Sequence, residues 1–468
     1  MQAVPGSFRD PAGRVYTWEG RIFRLLSGEG AAYFSAIEGS DFWKRVTRDG
    51  TVVRTWHAPG DVLSDRPPED DFGVERVLEH AAVPFVSYPF EWPFHLLKRA
   101  ALLHLDLHLL ALESDLNIVD GTAYNIQLFG TKPVFIDVLS FRPYRAGDYW
   151  FGYQQFCSAF LAPLLLSAYR DVPYNALYRG NLSGIPVPHA ATLLPSRAKW
   201  NPLVFMHIVA QASLARRMVN KRGRDEKPSV RRPLPKANLI GLLKSLRKGV
   251  AGLEPLGIEK TIWSDYEKHN SYDDADTAVK AGFVRRHVSL RKPELLWDIG
   301  CNTGFYSETA LKAGANYVVG FDFDMGALAK AVARSDSGGL KYLPLYMDLS
   351  NPSPGLGWAN TERKSLGGRA NADMFVALAV IHHLAIAQNV PLREVVEWLV
   401  GLAPAGIIEF VPKSDPMVQL LLKDRSDIFP DYTLENFLRH LNGCARVVET
   451  CEMASSDRVL IAYERPRA

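Results

Sequence analysis

The residues best suited to chemistry are concentrated between Leu295 and Leu349. An apolar run, Leu295-Leu-Trp, leads into Asp298-Ile-Gly300-Cys-Asn302-Thr-Gly304, which is Asp-x-Gly-x-x-x-Gly. A second apolar run ends in Asp322, 18 positions after Gly304. Glycines placed this way allow a tight turn and close backbone approach to a ligand, and an acid at the tip of the second strand accepts hydrogen bonds from both ribose hydroxyls. The spacing is not GxGxxG, and no run of basic residues waits for a pyrophosphate. A nucleoside with an amino-acid tail therefore suits the loop better than a dinucleotide. A third apolar run ends at Asp348-Leu349, where a carboxylate is placed to accept from an exocyclic amine with an apolar side chain beside the ring.

These residues need a frame, and the hydrophobic pattern supplies an alternating one. A helix over Asp276–Val288 precedes a strand over Glu294–Asp298. A helix to about Ala313 then leads to strand Tyr317–Asp322, and helix Gly326–Arg334 to strand Tyr342–Met347. Strand Met374–Val380 runs into His382-His383. Helix Leu392–Leu402 precedes strand Gly406–Phe410, and Arg446–Met453 and Arg458–Glu464 flank the turn Ala-Ser-Ser-Asp. This order predicts an α/β doubly wound, Rossmann-like sheet closed by a terminal antiparallel hairpin, with ligands at the carboxyl ends of its strands.

The set resembles the S-adenosyl-L-methionine site of class I methyltransferases. The resemblance implies that Gly300, Asn302 and Gly304 form the loop around the methionine moiety and that Asp298 holds its amino group. It further implies that Asp322 binds the ribose, and Asp348 with Leu349 the adenine. Methyl transfer is an in-line displacement, so positioning supplies most of the acceleration and a base matters only if the acceptor must lose a proton. One of His382 and His383 is the candidate base or acceptor-orienting group, since adjacent residues on a regular segment do not share a direction. The segments around Val380-Ile-His-His-Leu, Ile408-Glu409-Phe-Val-Pro-Lys413, Asp427-Ile-Phe-Pro-Asp-Tyr432 and Trp263-Ser-Asp-Tyr266 resemble a bacterial subfamily that includes rhizobial nodulation-type methyltransferases. That resemblance makes Tyr266, Glu409 and Lys413 candidates for the acceptor pocket, with ion pairing as the alternative for the two charged residues. The acceptor class it implies is an O or N group on a small molecule or glycan, such as a saccharide or glycolipid precursor.

A second constellation lies in the N-terminal half. Asp120 and Asn125 are five apart, and Asp137 follows twelve later at the end of an apolar run, all after a long apolar-periodic helix over about Phe94–Glu113. These features resemble the catalytic loop and metal-binding strand of protein-kinase-like phosphotransferases. There the first Asp orients the acceptor hydroxyl, and the Asn and second Asp hold magnesium with ATP. Two departures stand against full activity. Val138, not glycine, follows Asp137, and Lys44, the only lysine before residue 98, lies in a helix-like segment. Arg21 or Arg24 in Arg-Ile-Phe-Arg-Leu-Leu is the substitute cation, and Ser27-Gly28-Glu29-Gly30 the candidate phosphate loop. A bifunctional phosphotransferase–methyltransferase, or a methyltransferase with a pseudokinase module that recruits the acceptor, are the alternatives.

Length and composition bound the rest. With 468 residues, 47% apolar and 22% charged, two or three globular domains are expected. Net charge of +3 does not by itself argue for nucleic acid. Residues 216–248, however, carry twelve Lys/Arg against two acids and include Pro228, Pro233 and Pro235. This divides the chain into an α+β kinase-like or accessory domain over 1–215, a basic linker over 216–250, and a methyltransferase domain over 251–468. The linker is solvated spacer or a strip for an anionic partner. The four cysteines form no CxxC pair, which argues against zinc or a disulfide framework and fits a reducing cytoplasm. No signal peptide or transmembrane segment is expected.

Overall fold

The computed structural model describes residues 1–59, 72–221, 233–257, 274–423 and 426–465. Two compact units emerge: Met1–Leu256 together with Gly355–Arg363, and Gly257–Pro354 together with Lys364–Ala468.

The first unit opens on an antiparallel sheet ordered β1-β2-β3-β5-β4, built from β1 (Gln2–Ala3), β2 (Gly13–Trp18), β3 (Arg21–Leu26), β4 (Thr55–His57) and β5 (Arg76–His80). Helices Gly28–Ile37 and Asp41–Arg48 lie between β3 and β4. Ser27 caps the first of these, its hydroxyl accepting from the Gly30 N–H, so Ser27–Gly30 starts a helix instead of wrapping a phosphate. Helix Phe94–Glu113 has the predicted bounds. Its buried positions, including Leu97, Ala101, His104, Leu105, His108 and Leu112, recur at helical spacing. Two short antiparallel pairs follow it: β6 (Leu116–Ile118) with β9 (Phe141–Pro143), and β7 (Ile126–Phe129) with β8 (Lys132–Phe135).

The boundary differs from the expected one. Half of the basic stretch is a structural helix, Lys236–Ala251, that buries Leu239, Leu243, Leu246 and Val250 and packs on Phe94–Glu113. Arg247 pairs with Asp106, and Lys236 reaches Asp115 at 2.6 Å. High charge masked a regular leucine stripe, so the first unit extends to Leu256. It also reclaims a distant segment. Arg9 forks onto Glu362 at 2.6–3.0 Å, and the Arg363 guanidinium lies 4.3 Å from the Tyr124 ring centre.

The second unit is a seven-stranded sheet ordered β12-β11-β10-β13-β14-β16-β15. Its strands are β10 (Leu295–Ile299), β11 (Tyr317–Asp322), β12 (Tyr342–Tyr346), β13 (Met374–Ala377), β14 (Ala405–Phe410), β15 (Arg446–Glu452) and β16 (Val459–Glu464). The first five are parallel, and the last two form the antiparallel hairpin. The central strands are continuously buried because helices cover both faces; β15, at the edge, alternates in exposure. Chain order reverses between β10 and β13, which opens a crevice at the carboxyl end of β10. Helix Asp274–Arg291 is tied to the hairpin by Asp276, which accepts from the Ser455 N–H at 2.9 Å and the Ser456 hydroxyl at 2.8 Å.

Candidate functional site

The tips of β10 and β11 bring the predicted acids together. Gly300 (φ +74°) and Gly304 (φ +81°) take left-handed backbone conformations. A Cβ on Gly300 would meet Val380 Cγ2 at 2.6 Å, and one on Gly304 would meet Tyr342 Cε1 at 2.7 Å. The loop thus needs glycine at both positions on conformational and steric grounds. It turns the Asn302 N–H onto Asp322 Oδ2 at 2.8 Å, and Asp322 Oδ1 accepts from the Asp324 N–H at 2.9 Å. A carboxylate oxygen has two acceptor sites, so each still has capacity for a ribose hydroxyl. Asp298 accepts from the Ser307 hydroxyl at 2.6 Å. Burial pushes Asp298 up to about 7, against the Ser307 hydrogen bond and assisted by the charge of Asp322. Burial likewise pushes Asp322 to about 6. A cationic ammonium near Asp298 would relieve that penalty. Asn302 Oδ1 is buried with no hydrogen-bond partner, one more polar atom open to a ligand. These features fit a nucleoside with a charged amino-acid tail.

After β12, Asp348 holds its own turn, accepting from the Ser350 N–H at 2.9 Å and hydroxyl at 2.6 Å; Asp348 and Leu349 are both half-buried. Phe323 was not singled out by its sequence context. It is 54% exposed directly after Asp322, an aromatic side chain next to that carboxylate in the chain.

The candidate residues after β13 and at the end of β14 are more buried than their sequence suggests. His382 and His383 follow β13 and have ring centres 4.1 Å apart, His383 opening a π-helical turn over His383–Ala387. Burial, then the charges of His383 and Lys280, hold His382 well below the usual imidazole range, and its Nδ1 is buried without a partner. Glu409, at the end of β14, is fully buried. Its Oε1 lies 2.7 Å from Lys280 Nζ and 3.4 Å from Arg458 Nη1, while Arg458 Nε is 2.6 Å from Asp415. Glu409 Oε2 has no hydrogen-bond partner. Burial raises the Glu409 carboxyl despite Lys280. Burial, and then the charges of Glu409 and Asp298, raise the Tyr306 hydroxyl. Lys280 lies 129 positions from Glu409, and no local pattern announces the pair. Lys413 instead pairs at the surface with Asp427 at 2.8 Å, the ion-pair alternative for that residue. Tyr266 lies outside the described residues.

The first unit also assembles its predicted constellation. Asn125 Nδ2 lies 3.4 Å from Asp137 Oδ2 and 3.1 Å from Ser140 Oγ, and Ser140 donates to Asp137 at 2.6 Å. Arg24, on β3, meets Asp137 Oδ1 at 2.5 Å. Burial would raise Asp137, but Arg24 and Ser140 hold it below the usual carboxylate range. Asp120 is raised by burial and then by the Asp137 charge. The expected magnesium site is therefore altered: a guanidinium sits on the carboxylate that would ligate the ion, and Asn125 presents a donor. Among the described residues no group of three or more His, Cys, Asp or Glu is arranged to hold a metal.

Nodulation protein NoeA of Rhizobium meliloti (strain 1021) is 40% identical over 466 residues, covering 99% of this chain and 96% of its own length. The chain belongs to the NoeA family. No family model matches it. Among solved structures it is similar to the N-methyltransferase NodS from Bradyrhizobium japonicum WM9 in complex with S-adenosyl-l-homocysteine. That likeness is 14% identity and TM-score 0.32, over 44% of this chain and 97% of NodS. Magnesium protoporphyrin IX methyltransferase from Synechocystis PCC 6803 is 17% identical with TM-score 0.31, over 45% of this chain and 96% of that one. Among the described residues of this NoeA relative, no helix is long and apolar enough to cross a membrane.

Proposed function

We propose that the second unit binds S-adenosyl-L-methionine and transfers its methyl group to an oxygen or nitrogen acceptor. The observation that carries this is the pairing of two high-pKa buried carboxylates, Asp298 and Asp322, across a loop whose glycines admit a ligand against the backbone. The sulfonium supplies an activated methyl, and the protein's own residues orient the partners and handle a proton. Asp322 takes the ribose hydroxyls and Asp298 the ammonium, while Asp348, Leu349 and Phe323 border the adenine. His382, neutral at physiological pH, accepts a hydrogen bond from the acceptor without carrying charge. Buried Glu409, with one oxygen unpartnered, supplies a second acceptor of hydrogen bonds. Such a pocket favours a substrate group with an N–H or O–H. A saccharide or glycolipid precursor is the acceptor class that the sequence resemblance implies, and four free cysteines suit the cytoplasm. Calorimetry of cofactor binding tests the reading. Asp322→Ala should weaken affinity by roughly 1.5–3 kcal/mol, the scale of hydrogen bonds to a charged group, and unchanged affinity would remove the assignment.

A second reading concerns the first unit. The convergence of Asn125, Asp137 and Asp120 behind an antiparallel sheet supports a kinase-like module, and the Arg24–Asp137 pair favours a binding role over phosphotransfer. ATP titration of the full chain with and without magnesium distinguishes them: turnover would support a phosphotransferase, and binding without turnover an acceptor-recruiting module.

A further inference from the structure

Between Asp171 and Asp225 the chain has no acidic residue: positions 172–224 contain eight Lys/Arg and no Asp or Glu. Residues 172–221 build the helical end of the first unit. There Pro202–Val204, the π-helical turn Phe205–Val209 and Ala210–Lys221 run on as one helix. One side of it is buried through Val204, His207, Ile208 and Ala212, and packs against helix Val187–Leu193. Its other side is apolar yet turned to solvent. Phe205 is 55% exposed, Met206 54% and Leu214 54%, and Trp200, just before the helix, is 88% exposed. Arg197 and Lys199 bracket that tryptophan's approach within the 3-10 turn Ser196–Trp200.

We propose that this face docks peripherally on an anionic lipid bilayer. An exposed apolar stripe beside a tryptophan and uncompensated cations is the pattern of an interfacial helix: the apolar side chains sink to the headgroup boundary while basic residues meet lipid phosphates. With no membrane-crossing helix among the described residues, such contact is peripheral. Nucleic acid would use the cations but leave Met206 and Leu214 without a partner. A second copy of this chain would bury the stripe only by bringing Arg197 and Lys199 of both copies together, which is unfavourable. The inference stands independently of the methyl-transfer reading.

Flotation of the full-length protein with extruded vesicles tests it, using phosphatidylcholine alone and an equimolar mixture with phosphatidylglycerol. The wild type should associate with the anionic vesicles and at least about tenfold less with the neutral ones, and salt should weaken the association. Trp200→Ser with Phe205→Ser, and separately Arg197→Gln with Lys199→Gln, should each reduce it about tenfold. All four positions lie outside the buried core, and circular dichroism verifies that the variants fold. Absence of association, or equal association with both vesicle types, overturns the proposal. So does undiminished association of both variants, tighter binding to a single-stranded oligouridine than to vesicles, or a wild-type dimer in sedimentation that the aromatic variant abolishes.

Discussion

Binding of the cofactor should depend on pH through Asp298. Its carboxyl sits at about 7 because burial penalises the charged form and Asp322 repels it, while the Ser307 hydrogen bond only partly compensates. An ammonium is attracted only by the ionised carboxylate. Apparent affinity is therefore reduced by the fraction of unliganded protein that is protonated. With a pKa near 7, the reduction is about 1.1-fold at pH 8 and about 11-fold at pH 6, an overall loss of roughly tenfold, or about 1.4 kcal/mol. Asp322, at about 6, adds a factor of about two if it too must ionise, and the two acids titrate as a coupled pair. The stability sign agrees. Both groups have folded values above their ordinary ones, so the unliganded unit is stabilised at low pH, and that contribution is lost as pH rises from about 4 through 7. The ligand should accordingly raise Tm more at pH 8 than at pH 6. Calorimetry of S-adenosyl-L-homocysteine binding at both pH values, in wild type and Asp298→Asn, isolates the effect from titration of the ligand itself. The variant should bind more weakly at pH 8 and show a flatter profile. Equal pH dependence in both proteins would refute the role of Asp298.

Removing Lys280 with Lys280→Met leaves buried Glu409 only the more distant Arg458, at 3.4 Å, and should cost up to about 3 kcal/mol in denaturant unfolding. The double variant Lys280→Met/Glu409→Leu should recover much of that loss, and failure to recover would mean that the two side chains do not act as a pair. In the first unit, Arg24→Ala should open Asp137 to a divalent ion. Manganese titration followed by electron paramagnetic resonance should detect a site in the variant and none at Asp137 in the wild type. Identical titrations would show that Arg24 does not stand in for a metal.

What the sequence discloses follows the range of each interaction. Strand Tyr317–Asp322 and helices Phe94–Glu113 and Leu392–Leu402 have their predicted bounds because continuous or periodic apolar patterns dominate them. The glycine loop was readable because Gly300 and Gly304 sit where backbone conformation leaves few alternatives. Lys280 was not, since a buried ion pair between a helix and a strand distant in the chain leaves no local spacing. The π-helical turn after His382 inserts one residue without a compositional sign. Helix Lys236–Ala251 was obscured in a different way: prolines and cations nearby read as spacer, although Leu239, Leu243 and Leu246 already marked a buried face.

The return of residues 355–363 to the first unit has a topological consequence. The polypeptide passes between units three times, near Leu256, Pro354 and Arg363, so neither unit is a continuous stretch of gene. Ending the chain at Leu256 would strip Glu362 from Arg9 and Arg363 from the Tyr124 ring, while starting it there would leave a loop whose packing surface is missing. A single proteolytic nick at residue 257 would not release either piece. Shuffling one unit onto another partner would require three coordinated joins instead of one. A single cut would therefore divide the first unit, and the NoeA relative matches this chain over 99% of its length.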